Sequence, residues 1–189
     1  MKIRQLTVED ARSFWALRLF GLKESPSAFG SSWEESHTLP FDQVVEMVAE
    51  RTTGPNFAIW GAFAEAGQGE KGGADLVSTP DGERLVGMMG FRRHDKIKEL
   101  HKAYLWGVYV HPDFRGQGLG GRLLDATLGM ARSMPGLRQI QLQATEHNQP
   151  AVALYRSRGF HVFGREPEAL FVDGVYSTDL HMMLRINGQ

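Results

Sequence analysis

The chain has 189 residues with 22 acidic and 21 basic side chains, for a net charge of −1, so no overall basic field would attract nucleic acid or an anionic membrane. It contains no cysteine, which excludes disulfides, thiolate metal sites and a cysteine nucleophile. The sequence has neither the apolar core of a signal peptide nor an apolar run of about 18 residues. We therefore expect one soluble, cytoplasmic domain.

The N-terminal half predicts strands and helices in mixed order. Thr7 and Asp10 occupy the two positions of a capping box, which indicates the start of a helix. Apolar residues then recur at helical or at strand spacing. In chain order these patterns predict a strand over 3–6, a helix over 7–22, a loop or broken helix over 24–40, a helix over 41–51, and paired strands over 57–63 and 84–92. The glycine-rich segment 65–83 between the paired strands is predicted to be a mobile hairpin loop.

In the C-terminal half, proline, glycine and asparagine separate the elements. Pro112 ends a strongly apolar strand because proline cannot donate to a strand ladder. Asn148 is a preferred helix cap, and Asp173-Gly174 is a two-residue hairpin signal. The predicted elements are a strand over 104–110, a helix over 119–131, a strand over 139–143, a short helix over 148–158, and strands over 160–163, 170–172 and 175–186. Strands and helices therefore mix in one α/β or α+β fold.

The most informative segment lies between residues 108 and 121, where a strand ends, the chain turns and a helix begins. Gly116, Gly118 and Gly120 alternate along this turn, and glycine lets the backbone adopt left-handed conformations and lets a ligand approach closely. The free N–H groups at a helix start point outward, and the helix dipole favours an anion there. The segment therefore predicts a phosphate site, with Arg115 adding positive charge at its rim.

Two other interpretations of this segment stay open. One is a glycine turn that binds no ligand. The other is a dinucleotide site, because Gly116, Gly118 and Gly121 also satisfy G-x-G-x-x-G, and Glu146 lies near the position of a ribose-binding acid. Against a dinucleotide site, residues 111–115 separate the strand from the glycines, and too little chain follows for two nucleotide-binding halves. A Walker-type loop is excluded because the Gly-Lys-Ser/Thr sequence is missing.

Two motifs occur in order between Leu105 and Phe160. In the first, Arg115, Gly118 and Gly120 fit the pattern Gln/Arg-x-x-Gly-x-Gly/Ala. The second consists of Asn148, Ala153-Leu154-Tyr155 and Gly159-Phe160. Together they resemble the GNAT superfamily of N-acetyltransferases. The resemblance implies a single N-acetyltransferase domain over 1–189, of α+β (α/β mixed) class, with a central mixed, mostly antiparallel sheet that is splayed at the cofactor slot and flanked by helices.

The resemblance also implies acetyl-coenzyme A as cosubstrate and indicates which residues bind it. The pantetheine arm would pair with the backbone of a strand at Val108, Tyr109 and Val110. Asn148 would contact the same arm, or would act only as a helix cap. The pyrophosphate would lie on the glycine turn and the first helical turn, formed by Arg115, Gly116, Gln117, Gly118, Leu119, Gly120 and Gly121.

Catalytic residues follow less directly from the resemblance. Tyr155 matches the family position whose hydroxyl lies near the coenzyme A sulfur, which implies a general acid that also contacts the cofactor; a core tyrosine is the alternative. Glu34 and Glu35 are the first candidates for the general base, because their loop lies where the family shapes its acceptor site; two solvated loop carboxylates are the alternative. Further candidates for the base are His101, His111 and Glu146. The histidines lack metal-ligand spacing, so no metal is expected.

The implied reaction is direct acetyl transfer from a thioester to an amine in a ternary complex, with no covalent enzyme intermediate. The acceptor is a small-molecule or peptide amine of a kind that the sequence does not specify, and analogy with the family allows a homodimer. Two alternatives stay open. One is a non-enzymatic module that binds acyl-coenzyme A as a sensor, and the other is a nucleotide-dependent oxidoreductase.

Overall fold

Seven strands form one sheet in the computed structural model, which describes residues 1–65 and 76–186. The strands are β1 (Lys2–Gln5), β2 (Phe57–Ala64), β3 (Arg84–Arg93), β4 (Lys102–Val110), β5 (Gln139–Thr145), β6 (His161–Val172) and β7 (Val175–Arg185). Their spatial order is β1-β2-β3-β4-β5-β7-β6. Every neighbouring pair is antiparallel except β4 and β5, which are parallel. The predicted mixed, mostly antiparallel sheet is confirmed.

Helices cover both faces of this sheet. They are α1 (Ala11–Glu24), α2 (Trp33–Ser36), α3 (Phe41–Thr52), α4 (Leu119–Arg132) and α5 (Gln149–Arg156). On one face, the Leu123 side chain of α4 packs beside Gly87 and Val110. On the other face, α1 packs through Gly21 against the ring of Tyr109. None of the helices in the described part of the chain has the length and apolarity needed to cross a membrane.

The capping box predicted before α1 is present. The Asp10 carboxylate accepts a hydrogen bond from the Thr7 N–H at 2.9 Å, and a short 3-10 turn, Val8–Asp10, leads into the helix. Arg4 donates to both carboxylate oxygens of Asp10, at 2.7 and 2.8 Å. Burial raises the pKa of Asp10, but these hydrogen bonds outweigh it and lower that pKa overall. The first helix is therefore anchored to β1 by a charged pair.

β4 and β5 are paired at one end only. Their register runs from Lys102 opposite Gln139 to Tyr104 opposite Gln141. Beyond this point the register between β3 and β4 shifts, and Gly107 has a φ of +60°. A bulge of this kind bends a strand and changes its direction. The rest of β4 therefore separates from β5 and leaves a slot between the two strands, as the family resemblance implied.

Two predicted segments differ in the structure or fall partly outside it. The strands predicted over 160–163 and 170–172 are one strand, β6, with a register shift between Glu166 and Leu170. β6 lies at the edge of the sheet, where a proline such as Pro167 is tolerated because no further strand needs its N–H. Residues 66–75 of the predicted glycine-rich loop lie outside the described residues.

The hairpin turn at 173–174 has φ values of +50° and +81°, the positive values that a type I′ turn requires.

Candidate active site

The turn between β4 and α4 has the open backbone that a phosphate site needs. Gly116 and Gly118 have φ values of +75° and +72°, and Gly118 caps α4. A Cβ added to either glycine would meet nothing within 4 Å. The first N–H groups of α4 have no acceptor within the helix. The turn therefore presents backbone donors and free space together, which suits an anion.

A cavity of about 720 Å³ lies beside this turn, and we call it the glycine-turn cavity. Most residues predicted to bind the cofactor line it, namely Val108, Tyr109, Val110, Arg115, Gly116, Gly118, Leu119, Gly120, Gly121 and Asn148. Gln117 is exposed and is not part of the lining. Asn148 also caps α5, because its Oδ1 accepts from the Ala151 N–H at 3.2 Å. Asn148 therefore acts as a helix cap and is also placed where it could contact the cofactor arm.

Arg115 is less available to a phosphate than the sequence suggested. Its guanidinium donates to the Glu24 carboxylate at 2.7 and 3.2 Å, and its Nε donates to the Val110 carbonyl at 3.0 Å. The Tyr109 hydroxyl donates to the same carboxylate at 2.8 Å. Glu24 thus ties the end of α1 to β4 and to the glycine turn, and it neutralises part of the rim charge. No local pattern indicates this pair, since Glu24 and Arg115 are 91 residues apart.

A second cavity, of about 410 Å³, meets the first where β4 and β5 separate. We call it the Tyr155 cavity. It is lined by the inner part of β4, from Tyr104 to Val108, and by β5 from Leu142 to Thr145. Residues that line both cavities are Ala28, Val108, Thr145, Asn148, Ala151 and Leu154. Two ligands, one in each cavity, would therefore meet at the slot.

Tyr155 lies on α5 and lines the Tyr155 cavity. The residue is only 4% exposed, and its ring packs edge-on against Phe160 with centroids 5.8 Å apart. Burial, and then the neighbouring Tyr104, raise the pKa of the Tyr155 hydroxyl. The hydroxyl therefore keeps its proton throughout the neutral range and can donate a hydrogen bond.

Glu34 and Glu35 do not lie at either cavity. Both are exposed, and neither belongs to the described lining of the two cavities. Glu35 completes a capping box for α2, in which its N–H donates to Ser32 Oγ at 3.1 Å and the Ser32 N–H donates to its carboxylate at 3.4 Å. The Ser32 hydroxyl also donates to this carboxylate, at 3.0 Å. The structure therefore gives Glu35 a local structural role.

The other candidates for the base are likewise engaged elsewhere or lie outside the described lining of the cavities. His111 is 3% exposed and packs against Phe20, with ring centroids 4.6 Å apart. Glu146 pairs with Arg165 at 2.6 Å. Neither of these residues, nor His101, is part of the described lining of the cavities. Within residues 1–65 and 76–186, no group of three or more metal-ligating side chains is found.

Two carboxylates that the sequence analysis did not single out, Asp179 and Glu166, line the Tyr155 cavity. Asp179 is 9% exposed, and its Oδ1 is buried with no hydrogen-bond partner among the described residues. Burial raises the pKa of Asp179, the Thr145 hydroxyl partly opposes this, and the charge of Glu166 adds to the increase. An aspartate inside a strand beside buried Leu180 is uncommon, and that local signal was available in the sequence.

A chain of polar contacts connects Glu166 on β6 to Tyr104 on β4. The His181 Nε2 lies 2.8 Å from the Glu166 carboxylate and 3.3 Å from Gln143 Nε2. Gln143 in turn accepts from the Tyr104 hydroxyl at 2.9 Å. The side of the cavity formed by β5, β6 and β7 is therefore polar and carries negative charge.

The model of the Acetyltransferase (GNAT) family matches residues 33–160, which is more than half of the chain. The chain belongs to this family. The predicted family is thereby confirmed, and the glycine turn at 115–120 lies within the matched region.

Among curated GNAT relatives, spermidine N(1)-acetyltransferase of Escherichia coli (strain K12) is 24% identical over 109 residues, which are 58% of this chain and 56% of that protein. Mycothiol acetyltransferase of Geodermatophilus obscurus is 38% identical over 84 residues, which are 42% of this chain and 26% of that protein. The matched part of the chain thus spans about half or less of the length of these relatives.

Solved structures resemble the whole chain. An acetyltransferase of the GNAT family from Streptococcus pneumoniae superposes with a TM-score of 0.79 at 20% identity, covering 98% of this chain and 99% of that one. An acetyltransferase from Salmonella typhimurium, solved with its cofactor acetyl-CoA, superposes with a TM-score of 0.76 at 18% identity, covering 100% and 95%. At these identities the likeness shows the fold alone.

Proposed function

We propose that this protein is one N-acetyltransferase domain that transfers an acetyl group from acetyl-coenzyme A to an amine of a small-molecule or peptide acceptor. The observation that carries the proposal is that the glycine-turn cavity and the Tyr155 cavity meet at the β4–β5 slot. One cavity offers backbone donors for phosphate, and the other holds a buried hydroxyl and a buried carboxylate. Family membership, the acetyltransferase names of the relatives and the acetyl-CoA in the Salmonella typhimurium structure support it.

The residues at the first cavity fit acetyl-coenzyme A. The backbone of β4 beyond Tyr104 has no partner in β5, so Val108, Tyr109 and Val110 would pair with the pantetheine arm as an added strand. The pyrophosphate would lie on the N–H groups at residues 117–121, where the glycines leave room for it. Arg115 would bind phosphate only by sharing its charge with Glu24.

The thioester supplies an activated acetyl group, and the residues of the Tyr155 cavity would move the protons. The acceptor arrives as an ammonium ion and gives one proton to the carboxylate of Asp179, which leaves a neutral amine with a free electron pair. That pair forms the new N–C bond while the C–S bond breaks and its electrons pass to sulfur. The Tyr155 hydroxyl donates a hydrogen bond to the sulfur as its negative charge develops. The nitrogen loses its second proton as the amide forms. Of the two amine protons, one is taken up by the thiolate and the other passes to solvent, which leaves Asp179 ionised again. The products are the N-acetylated acceptor and the free thiol.

A thiol-release assay with a panel of amines tests this function directly. We expect saturable binding of acetyl-coenzyme A by calorimetry and thiol release that depends on one class of amine. Binding of acetyl-coenzyme A without thiol release from any amine would favour the sensor module. Binding of a nicotinamide dinucleotide in place of coenzyme A would favour the oxidoreductase and contradict the proposal.

Gly118→Val is expected to weaken acetyl-coenzyme A binding by at least about tenfold. A branched side chain at this position would fill the space that the pyrophosphate needs and would oppose the positive φ of +72°. Calorimetric titration with acetyl-coenzyme A measures the effect.

Gly54→Val is the matched control for backbone strain. Gly54 also has a positive φ, of +94°, and a Cβ there would also meet nothing within 4 Å, but Gly54 does not line either cavity. Its variant is expected to lose thermal stability as Gly118→Val does and to keep native affinity. If the native protein and both variants fold and bind acetyl-coenzyme A with equal affinity, the turn does not hold the cofactor.

A further inference from the structure

Arg18 is a cation of the Tyr155 cavity that the reaction described above does not use. It lies on α1 and lines the cavity together with Trp106 and Gly107. Its Nη2 donates to Ser31 Oγ at 3.2 Å, and its guanidinium lies 5.9 Å from the centre of the Phe29 ring. No carboxylate of residues 1–65 and 76–186 forms an ion pair with it. Since a guanidinium carries several N–H donors in a planar fork, most of its donors remain free for a ligand.

The surroundings of Arg18 add positive charge. Burial and the charge of Arg51 lower the pKa of Arg18 to about 10, so it stays charged at neutral pH at a cost in free energy. Arg51 lies over the ring of Trp106, 4.8 Å from its centre. Burial, and then the charge of Arg92, lower the pKa of Arg51. A partly buried cation is stabilised by a hydrogen-bonded counterion, and an anion in the cavity would supply one.

The other charged groups of this cavity are carboxylates. Asp179 and Glu166 line it from β7 and β6, whereas Arg18 lines it from α1. One compartment of about 410 Å³ therefore presents a cation on one side and two anions on another. A molecule that complements both sides carries an ammonium group and an anionic group.

The position of Arg18 brings the anionic group of such a molecule to the slot between β4 and β5. A Cβ added to Gly107 would lie 3.6 Å from Arg18 Nη1, which places the guanidinium at the bulge of β4, where the strand begins to leave β5. Acetyl transfer, as proposed above, takes place in the same slot. An anion bound to Arg18 and the amine that reacts would therefore occupy the same compartment of about 410 Å³.

We propose that the acceptor is an α-amino acid or a similar compound, whose carboxylate binds Arg18 while its amine faces Asp179. The proposal rests on the proposed acetyl transfer and names its substrate class. An acceptor with amines only would leave Arg18 without a counterion. A peptide N-terminus has a neutral amide where the α-carboxylate would be, so it would do the same.

Matched acceptor pairs test the proposal. Each standard α-amino acid is compared with its α-carboxamide, which keeps the side chain and removes the negative charge. For the preferred side chain we expect kcat/KM to be about 10- to 100-fold higher for the acid than for the amide, the effect of one charge-assisted hydrogen bond. The comparison is made across a range of pH, because the amines of the two compounds have different pKa values.

Variants connect this preference to Arg18. Arg18→Met is expected to remove the preference by raising KM for the acids, with little change for the amides. Arg18→Lys keeps the charge but not the fork, and we expect it to restore part of the preference. Arg12→Met is the control, because Arg12 lies on the same helix with its guanidinium 4.6 Å from the Phe41 ring and lines neither cavity.

Two outcomes would overturn the inference, and a third would overturn the proposed function on which it rests. If the native protein acetylates amines equally well with and without a carboxylate, the proposed function stands but Arg18 does not bind the acceptor through an anion. An equal fall in kcat for acids and amides in Arg18→Met would mean that Arg18 acts on the thioester or on the fold. If no amine is acetylated, the proposed function fails, and calorimetry with N-acetyl amino acids and their amides still tests the subsite. Equal binding of the two compounds then excludes it, whereas binding of the acids that Arg18→Met abolishes supports it.

Discussion

Asp179→Asn is expected to lower kcat by about 100-fold or more, the effect of removing a positioned general base. Asparagine keeps the shape of the side chain but cannot accept the proton of the acceptor amine. The carboxylate is suited to this role because its buried Oδ1 has no hydrogen-bond partner among the described residues and because burial raises its pKa. Steady-state rates of thiol release across pH measure the effect. The residual rate should rise with pH as the free acceptor amine becomes neutral without help.

The same substitution is expected to stabilise the fold at neutral pH. The pKa of Asp179 is raised above its ordinary value of 3.8 in the folded protein. A group of this kind favours the folded state while it is protonated, and that contribution is lost as pH rises from the unfolded pKa through the folded pKa. The native protein therefore carries a destabilising charge at pH 7 that Asp179→Asn lacks. Thermal melts should show a higher Tm for the variant at pH 7 and a difference that disappears as the pH falls to about 4.

Two comparisons separate the base from other carboxylates. Glu166→Gln removes a negative charge from the same cavity, and we expect it to raise KM for a cationic acceptor more than it lowers kcat. Glu34→Gln and Glu35→Gln test the base that the sequence suggested, and we expect both variants to keep native kcat because neither residue lines a cavity. Native kcat in Asp179→Asn, together with a loss in Glu34→Gln or Glu35→Gln, would restore the sequence-based hypothesis.

The glycine turn before α4 was readable from the sequence because its signals are local. A strand, a turn with glycines at 116 and 118, and the start of α4 follow one another directly, and positive φ values at both glycines are what such a turn needs. Capping boxes are local in the same sense. Thr7 and Asp10 were recognised, and Ser32 with Glu35 forms the same Ser/Thr-x-x-acid pattern. Applied there, the pattern would have indicated that the Glu35 carboxylate is already engaged.

The lining of the Tyr155 cavity was readable only at Tyr155, through the family resemblance, because its residues come from distant parts of the chain. Arg18, Tyr104, Tyr155 and Asp179 lie on α1, β4, α5 and β7, and only the topology of the sheet brings them to one cavity. The Glu24–Arg115 pair is equally non-local. Periodicity shows which face of an element is buried, but it does not show which elements meet at that face. Asp179 could also have been recognised, since a carboxylate in the middle of a strand is a local anomaly.

Tyr155→Phe is expected to lower kcat by roughly tenfold to a thousandfold, with a smaller effect on cofactor Kd. Phenylalanine keeps the ring that packs against Phe160 and removes only the hydroxyl donor. A thiol has a pKa near 8.5 and tyrosine one near 10, and burial raises the pKa of Tyr155 further. Full proton transfer to the leaving thiolate is therefore uphill. The hydroxyl would act instead through a hydrogen bond that strengthens as charge develops on sulfur.

Tyr104→Phe is the matched control, because it makes the same change in the same cavity. It removes the hydrogen bond to Gln143, and we expect it to retain most of kcat. If Tyr104→Phe lowers kcat and Tyr155→Phe leaves it unchanged, Tyr104 and not Tyr155 is the donor. The pH profile adds a second test, since a Tyr155 with a raised pKa should cause no loss of native activity up to about pH 10.

A native steady-state rate in Tyr155→Phe has two explanations that pre-steady-state kinetics separates. If product release limits turnover, the native enzyme shows a burst of thiol, and the burst of the variant is slower while its steady-state rate stays unchanged. The hydroxyl then still accelerates the chemical step. If neither protein shows a burst, chemistry limits both of them, and an unchanged rate means that the hydroxyl contributes nothing to it. Tyr155 would in that case be a core residue that packs α5 against Phe160, and the thiolate would have to take its proton from solvent.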